Sequence, residues 1–226
     1  VHGPNYEQNF PYFGSNFWED WERPIHFEIR EPDGSGYAAN AGVKIFGGWS
    51  RAFPQKSLSI FARSHLGPSS FDYPLFPGAG INEYEAFVLR NSGNDWESTM
   101  MRDGYITSIA DHLNIDHQRY RPALLFLNGE FWGIQNIREK VNEHFIASNH
   151  SIESEHIDLL DIQGVNDENI VHGTNADYQI LLNYLDTQDI NDPIVENALE
   201  NWIDIESYMS YQAFQIFVDN RDWPGN

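Results

Sequence analysis

The hydrophobic pattern of this chain changes period part-way along, and that change limits the fold more than any other feature. Up to residue 139 the apolar residues mostly alternate, as on a strand with one buried face. Beyond it they recur at helical spacing. Ile25-His26-Phe27-Glu28-Ile29-Arg30 is an alternating strand followed by the turn signal Pro32-Asp33-Gly34-Ser35-Gly36. Gly42 to Gly47 resumes an extended pattern, and Lys56-Ser57-Leu58-Ser59-Ile60-Phe61-Ala62 makes a third strand. Ala86 to Arg90 reads as a short buried strand. Pro122 to Leu127, the turn Asn128-Gly129 and Phe131 to Ile134 read as a hairpin. One helix interrupts this region, over 98–113, with Ser98 as its cap and Met101, Tyr105, Ile109 and Leu113 at spacing four. Further helices are expected at 141–148, 176–186, 193–201 and 204–218. Between them, 151–175 reads as a polar connection around one apolar run, Ile157 to Leu160.

Runs of strands followed by runs of helices argue an α+β fold in two lobes. The expected division is a β-rich N-lobe with one helix over 1–139 and a helical C-lobe over 140–226. Residues 1–24, rich in aromatic side chains such as Tyr6, Phe13, Phe17 and Trp18, form an extended arm. No internal repeat and no low-complexity tract is present.

Charge narrows the partners. With 34 acidic and 13 basic residues the formal net charge is −21. That disfavours nucleic acid and anionic membranes, whose binding needs clustered Lys and Arg. No apolar run approaches the roughly 20 residues of a membrane span, so no membrane insertion is expected. Val1-His2-Gly3-Pro4 is no signal peptide, and a targeting segment is expected to have been removed or to lie upstream. There is no cysteine, which excludes disulfides, thiolate zinc sites and cysteine nucleophiles. The nine histidines form no zinc-binding pair, and Asp186 to Asp192 lacks the Gly and the terminal Glu of an EF-hand loop.

Four constellations carry chemistry. Gly47-Gly48-Trp49-Ser50-Arg51, followed by Lys56, combines glycines that let backbone N–H groups approach a phosphate with a positive point charge. The same residues also read as a tight turn followed by a surface lysine. Asp103, in the helix, is a candidate partner for the Lys56 ammonium, with Asp95 and Glu97 as competitors. Glu139, where the strands give way to helices, suits a ribose or a metal, and equally a structural salt bridge. Last comes Asp219-Asn220-Arg221-Asp222-Trp223-Pro224-Gly225-Asn226, an Asp-Asn loop after a helix. In protein kinases a catalytic Asp precedes a metal-binding Asn by five positions, whereas Asp222 precedes Asn226 by four. The order of Gly turn, Lys, helix, hairpin, junction and Asp-Asn loop is that of a kinase small lobe followed by the start of its large lobe.

Several of these segments together resemble the spore coat protein H (CotH) kinase family. They are Trp21-Glu22-Arg23-Pro24, Gly42 through Arg51, Pro54-Gln55-Lys56-Ser57-Leu58, Leu89-Arg90-Asn91 with Met101-Arg102-Asp103, Leu127 through Ile134 ending at Glu139, and Asn220 through Asn226. The resemblance implies a bacterial, secreted or surface-held atypical protein kinase that uses ATP with Mg2+ or Mn2+. Its protein substrates would accept phosphate on Ser or Thr. By position, Gly48, Ser50, Arg51, Lys56 and Glu139 would bind ATP, Asp222 would be the catalytic acid or base, and Asn226 would ligand metal. The family's later strand, which carries a second metal-binding Asp, is not among these residues, so the fragment is expected to be inactive alone. Two other readings stand beside this one. One is a non-catalytic coat or surface module on the same fold; the other is a glycan-binding module with exposed Trp and Tyr in a row.

Overall fold

The structure is a computed structural model and describes residues 5–162 and 168–223. It is a mixed α and β fold, and it divides into two compact units. The first comprises Val1–Ser108 and Gln118–Lys140, and the second Ile109–His117 and Val141–Asn226.

The first unit is built on β1 (Arg23–Arg30), β2 (Gly36–Phe46), β3 (Ser57–Phe61), a small pair β4 (Phe71–Asp72) and β5 (Glu83–Tyr84), and β6 (Ala86–Arg90). Helix α1 (Arg102–Ile109) precedes the hairpin β7 (Tyr120–Leu127) and β8 (Glu130–Glu139). The main sheet has six strands in the order β1-β2-β3-β6-β8-β7, every pair antiparallel. One face of it is packed: Ile60, Phe87 and Ile137 meet Ala39 and Ala41 below Phe71, Leu75 and Phe76 from the connection that follows β3. Phe27, Phe71 and Phe87 meet edge to face with centroids 5.2–5.7 Å apart, the arrangement that aromatic quadrupoles favour.

Strand β2 begins six residues before the expected start at Gly42. Its first half pairs fully with β1, from Gly36 opposite Arg30 to Ala41 opposite Ile25. Ala38, Ala39 and Ala41 carry little strand propensity, and here burial of Ala39 and Ala41 overrides it. Helix α1 is shorter than the expected 98–113. Its entry is organised by the buried carboxylate of Asp95, not by Ser98. Asp95 accepts hydrogen bonds from Thr99 N, Thr99 Oγ1, Met101 N and Arg102 N, and this spreads residues 96–101 into turns before the helix begins. Inside α1, Gly104 lies so close to Tyr120 that a Cβ would stand 2.3 Å from its ring.

In the second unit, α2 (Glu143–His150) is capped by Asn142, whose side chain accepts from Phe145 N. The stretch 151–175, expected as a connection, contains a two-stranded antiparallel sheet of β9 (Leu159–Ile162) and β10 (Glu168–His172). Helices α3 (Ala176–Thr187), α4 (Pro193–Leu199) and α5 (Ile205–Phe217) follow. Asp192, with Pro193 in the first turn, caps α4, and Asp204 caps α5 by accepting from Ser207 N at 2.9 Å. Among the described residues no helix is long and apolar enough to cross a membrane.

Candidate functional site

The segment between β2 and β3 carries most of the expected phosphate-binding residues. Gly47 takes φ +108°, and a Cβ on it would come within 2.5 Å of Ser50 Oγ, so glycine is required there by the turn itself. Gly48 differs. Its φ is −85°, and a Cβ would meet nothing within 4 Å, so the protein's own packing does not demand glycine at that position. Arg51 folds back on the turn, donating from Nε to Gly47 O and from NH1 to Trp18 O. Its guanidinium closes the loop.

Lys56 sits immediately ahead of β3 and not within it. Its Nζ donates to Phe53 O at 2.5 Å and lies 4.1 Å from the centre of the Phe17 ring, which the N-terminal arm brings underneath. No carboxylate lies within ion-pair distance among the described residues. Burial therefore pushes the Lys56 ammonium below the ordinary lysine range. An ammonium has three donors, and one carbonyl plus one ring face is a sparse set of partners. These features suit a polyanion such as the phosphates of ATP.

The main chain around Lys56 is held by two neutral amides to which the sequence reading gave no role. Gln135, fully buried on β8, donates from Nε2 to Lys56 O at 3.0 Å. Asn91, also fully buried, accepts on Oδ1 from Ser57 Oγ and Gly93 N and donates from Nδ2 to Gln55 O at 2.6 Å. Ser57 Oγ in turn accepts from Asn91 N. Buried amides of this kind fix a segment by satisfying its main-chain carbonyls where water cannot reach them. Only Asn91's place beside Arg90 in the quoted motif hinted at it.

The carboxylates expected near Lys56 are committed elsewhere. Asp103 does not pair with Lys56. Its Oδ2 accepts from Arg138 NH1 at 2.7 Å and lies 2.8 Å from Arg90 Nε. Asp95 faces Arg102, besides organising α1. Burial alone would raise the Asp95 pKa, but the hydrogen bonds from Thr99 and the Arg102 and Thr99 backbone outweigh it and carry it down to about 2. Glu139 is 3% exposed, and both of its oxygens are engaged by Arg119, through the backbone N and through NH1. It therefore ties the end of β8 to the start of β7, as in the salt-bridge reading.

Asp222 belongs to the second unit, after α5. It is exposed, its backbone N donates to Asn220 Oδ1, and Arg221 turns back to pair with Asp219. Asn226 lies outside the described residues. Among the described residues no group of three His, Cys, Asp or Glu side chains could hold a metal ion. A protein cage of that kind is thus missing from what is described. Mg2+ bound chiefly through phosphates and one or two carboxylates does not need one.

The family model for the CotH kinase protein matches residues 43–226. The chain belongs to the CotH kinase family. The match begins within β2 and takes in parts of both units. No curated protein matches the chain significantly. Membership in this family points to kinase-like chemistry, and it takes in Gly48, Lys56, Glu139 and Asp222 alike.

Proposed function

We propose that this CotH-family chain supplies the nucleotide-facing part of a kinase that transfers the γ-phosphoryl group of ATP to Ser or Thr of an extracytoplasmic protein. In this reading the first unit is the nucleotide-facing small lobe of a kinase, and the second belongs to its large lobe. The observation that carries the reading is Lys56. A half-buried ammonium with no carboxylate partner among the described residues, braced through its own carbonyl and held over an aromatic face, suits an anionic ligand. ATP, when bound with a divalent cation, supplies the transferable phosphoryl group and the neutralisation of its charge.

The chain's own residues would divide the remaining work. Lys56 offsets charge on the phosphate oxygens, and the open space at Gly48 leaves the backbone of the turn accessible to them. Ser50 lies in that turn, and Arg51 holds its shape. Asp222 orients the acceptor hydroxyl and takes its proton. Asn226 is the residue proposed for the metal.

Two titrations test this. ATP affinity, read by calorimetry in the presence of Mg2+, should fall at least tenfold in Lys56→Met; unchanged affinity would overturn the nucleotide assignment. Transfer of label from radioactive ATP to a Ser- and Thr-containing acceptor, assayed in a protein that also carries the strand with the second metal-binding Asp, should be lost in Asp222→Ala. Equal labelling by both proteins would remove Asp222 from the chemistry.

One observation favours a second reading, a non-catalytic surface module on the same fold. Protein kinases need an ion pair between the phosphate-binding lysine and a helix glutamate. Here Asp103, Asp95 and Glu139 are all paired with arginines. If ATP fails to bind the wild-type chain, this second reading takes precedence.

A further inference from the structure

The lysine of the proposed nucleotide site is held without the carboxylate that fixes it in protein kinases. Asp103, Asp95 and Glu139 are all engaged by arginines, so the Lys56 ammonium takes its partners from elsewhere. One is Phe53 O, at 2.5 Å. The other is the phenyl ring of Phe17, whose centre lies 4.1 Å from Nζ. Phe17 lies ahead of residues 43–226, the part of the chain that the family model matches, so family membership gives it no role.

The arm that brings Phe17 there is fixed to the loop it crosses. Asn16–Trp18 forms a single 3-10 turn, and Trp18 Nε1 donates to Pro11 O. Trp18 O accepts from Arg51, and Phe10 and Phe13 meet the Trp49 ring with centroids 6.0 and 6.3 Å apart. Phe10 also stacks on Phe53, the residue whose carbonyl takes the ammonium. Further along the arm, Asp20 pairs with Lys44 on β2. Phe17 therefore sits between two anchored stretches, and its ring has a fixed place.

We infer that Phe17 is a positioning residue for Lys56, its ring holding the ammonium in the way a helix glutamate does in protein kinases. The inference rests on the reading of Lys56 as a phosphate-binding residue. The face of a phenyl ring attracts a cation through its quadrupole, most strongly where water is excluded. A carboxylate would neutralise the ammonium, whereas a ring carries no net charge and leaves the whole positive charge for an anion. Phe53 O takes only one of the three N–H donors. Burial disfavours the charged form, no charged neighbour offsets it, and the ring opposes that cost. The nearby groups are committed: Asp20 is turned to Lys44, and Arg51 to Gly47 O and Trp18 O. The buried side chains that brace the main chain here, Asn91 and Gln135, are neutral.

The chain has three lysines, Lys44, Lys56 and Lys140, so lysine-selective 13C labelling gives three side-chain signals, and Lys56→Met identifies one of them. Their titration is read on the whole chain without nucleotide. Phe17→Leu keeps an apolar side chain and removes the ring face. The Lys56 signal should then titrate at lower pH than in wild type, because the buried cation loses its attraction. Phe17→Tyr keeps the face and should titrate as wild type does. ATP affinity at neutral pH, measured with Mg2+, should fall about fivefold in the leucine variant, the size of an ordinary cation–π contact, and recover in the tyrosine variant. A Lys56 signal that titrates at the same or higher pH in Phe17→Leu overturns the inference, since the ring would then only exclude water. So does equal behaviour of the two variants. If wild type binds no ATP while the lysine titration follows the expected order, the nucleotide reading fails and Phe17 still positions the Lys56 ammonium.

Discussion

Arg138 donates from NH1 to Asp103 Oδ2 at 2.7 Å from a position on β8 that is only 1% exposed. The same guanidinium reaches Thr107 Oγ1 and Gln118 O, so it joins α1 to the strand that leads out of the first unit. Burial pushes the Arg138 guanidinium below its ordinary pKa, against the pull of Asp103. That carboxylate is the main charge offsetting the burial, with a smaller contribution from Glu139.

Asp103→Ala should therefore be severe. It strands a buried cation and frees Arg90 at the same time, and loss of one partner from a buried pair typically costs about 3–5 kcal/mol. Urea denaturation of Asp103→Ala and Asp103→Asn should show a large loss for both, with the smaller loss in the amide, which still accepts a hydrogen bond. Had Asp103 been a partner for Lys56 alone, the substitution would change ATP affinity and spare stability.

Lys56→Met is expected to behave in the opposite way. Among the described residues the ammonium has no carboxylate partner, and burial lowers its pKa, so the methionine should fold with unchanged or slightly higher thermal stability. Affinity for ATP should drop. The pH dependence carries a sign: phosphate binding through Lys56 is present while the ammonium is protonated and fades as pH rises through its folded pKa. That pKa lies below the ordinary 10.5, so the loss should begin at lower pH than an exposed lysine would give. Calorimetric titrations from neutral to alkaline pH would show it, and the methionine variant should lack the step.

These two carboxylate and lysine positions also show how far the residues alone can be read. Lys56 was identifiable because a cation beside a glycine turn is a chemical signal. The partner of Asp103 was not, because on a helix an acid can face any direction, and only the sheet register brings Arg138 and Arg90 to it. Ala86 to Arg90 was legible as a buried strand because Ala86 to Leu89 are all apolar, and the helical repeats of 176–186 and 204–218 because burial there follows the helical period. Strands β9 and β10 were not, since in so short a pair Leu159 and Leu160 are only half-buried while Ile170 and Val171 are exposed, and no face alternates. Asn91 and Gln135 left almost no trace, for a neutral amide has the same sequence appearance on the surface as in a buried network.

Asn91→Ala should act on both stability and binding. It removes the acceptor for Ser57 Oγ and Gly93 N and the donor to Gln55 O, all in a fully buried setting. Leaving buried groups unpaired costs about 1–3 kcal/mol each. The stretch from Gln55 to Ser57 also loses its brace, so Lys56 becomes less ordered and ATP affinity should fall even below the unfolding transition. Asn91→Asp keeps the acceptors and loses the donation to Gln55 O. A variant series in which stability declined while ATP affinity stayed constant would show that Asn91 does not position Lys56.

Asp95 allows the sharpest prediction from pH. Its carboxylate organises the entry to α1 through Thr99, Met101 and Arg102, and its pKa is carried from 3.8 down to about 2. A carboxyl group whose folded pKa lies below its unfolded value stabilises the fold above the unfolded value and loses that contribution as pH falls through the folded one. The loss should therefore be confined to the interval between pH 3.8 and about 2. A shift of this size is on the order of 2 kcal/mol, most of it available because the side chain is buried. Asp95→Ala should lower stability by about that amount at neutral pH, close to the usual effect of deleting a helix-capping side chain. Asp95→Asn should recover part of it, since one oxygen still accepts from the backbone. In acid the ordering of the proteins should converge: wild type steepens between pH 4 and 2, whereas both variants lose this component of the slope. Chemical denaturation at a series of pH values measures it directly, and parallel curves for all three proteins across that interval would assign the organisation of α1 to its backbone alone.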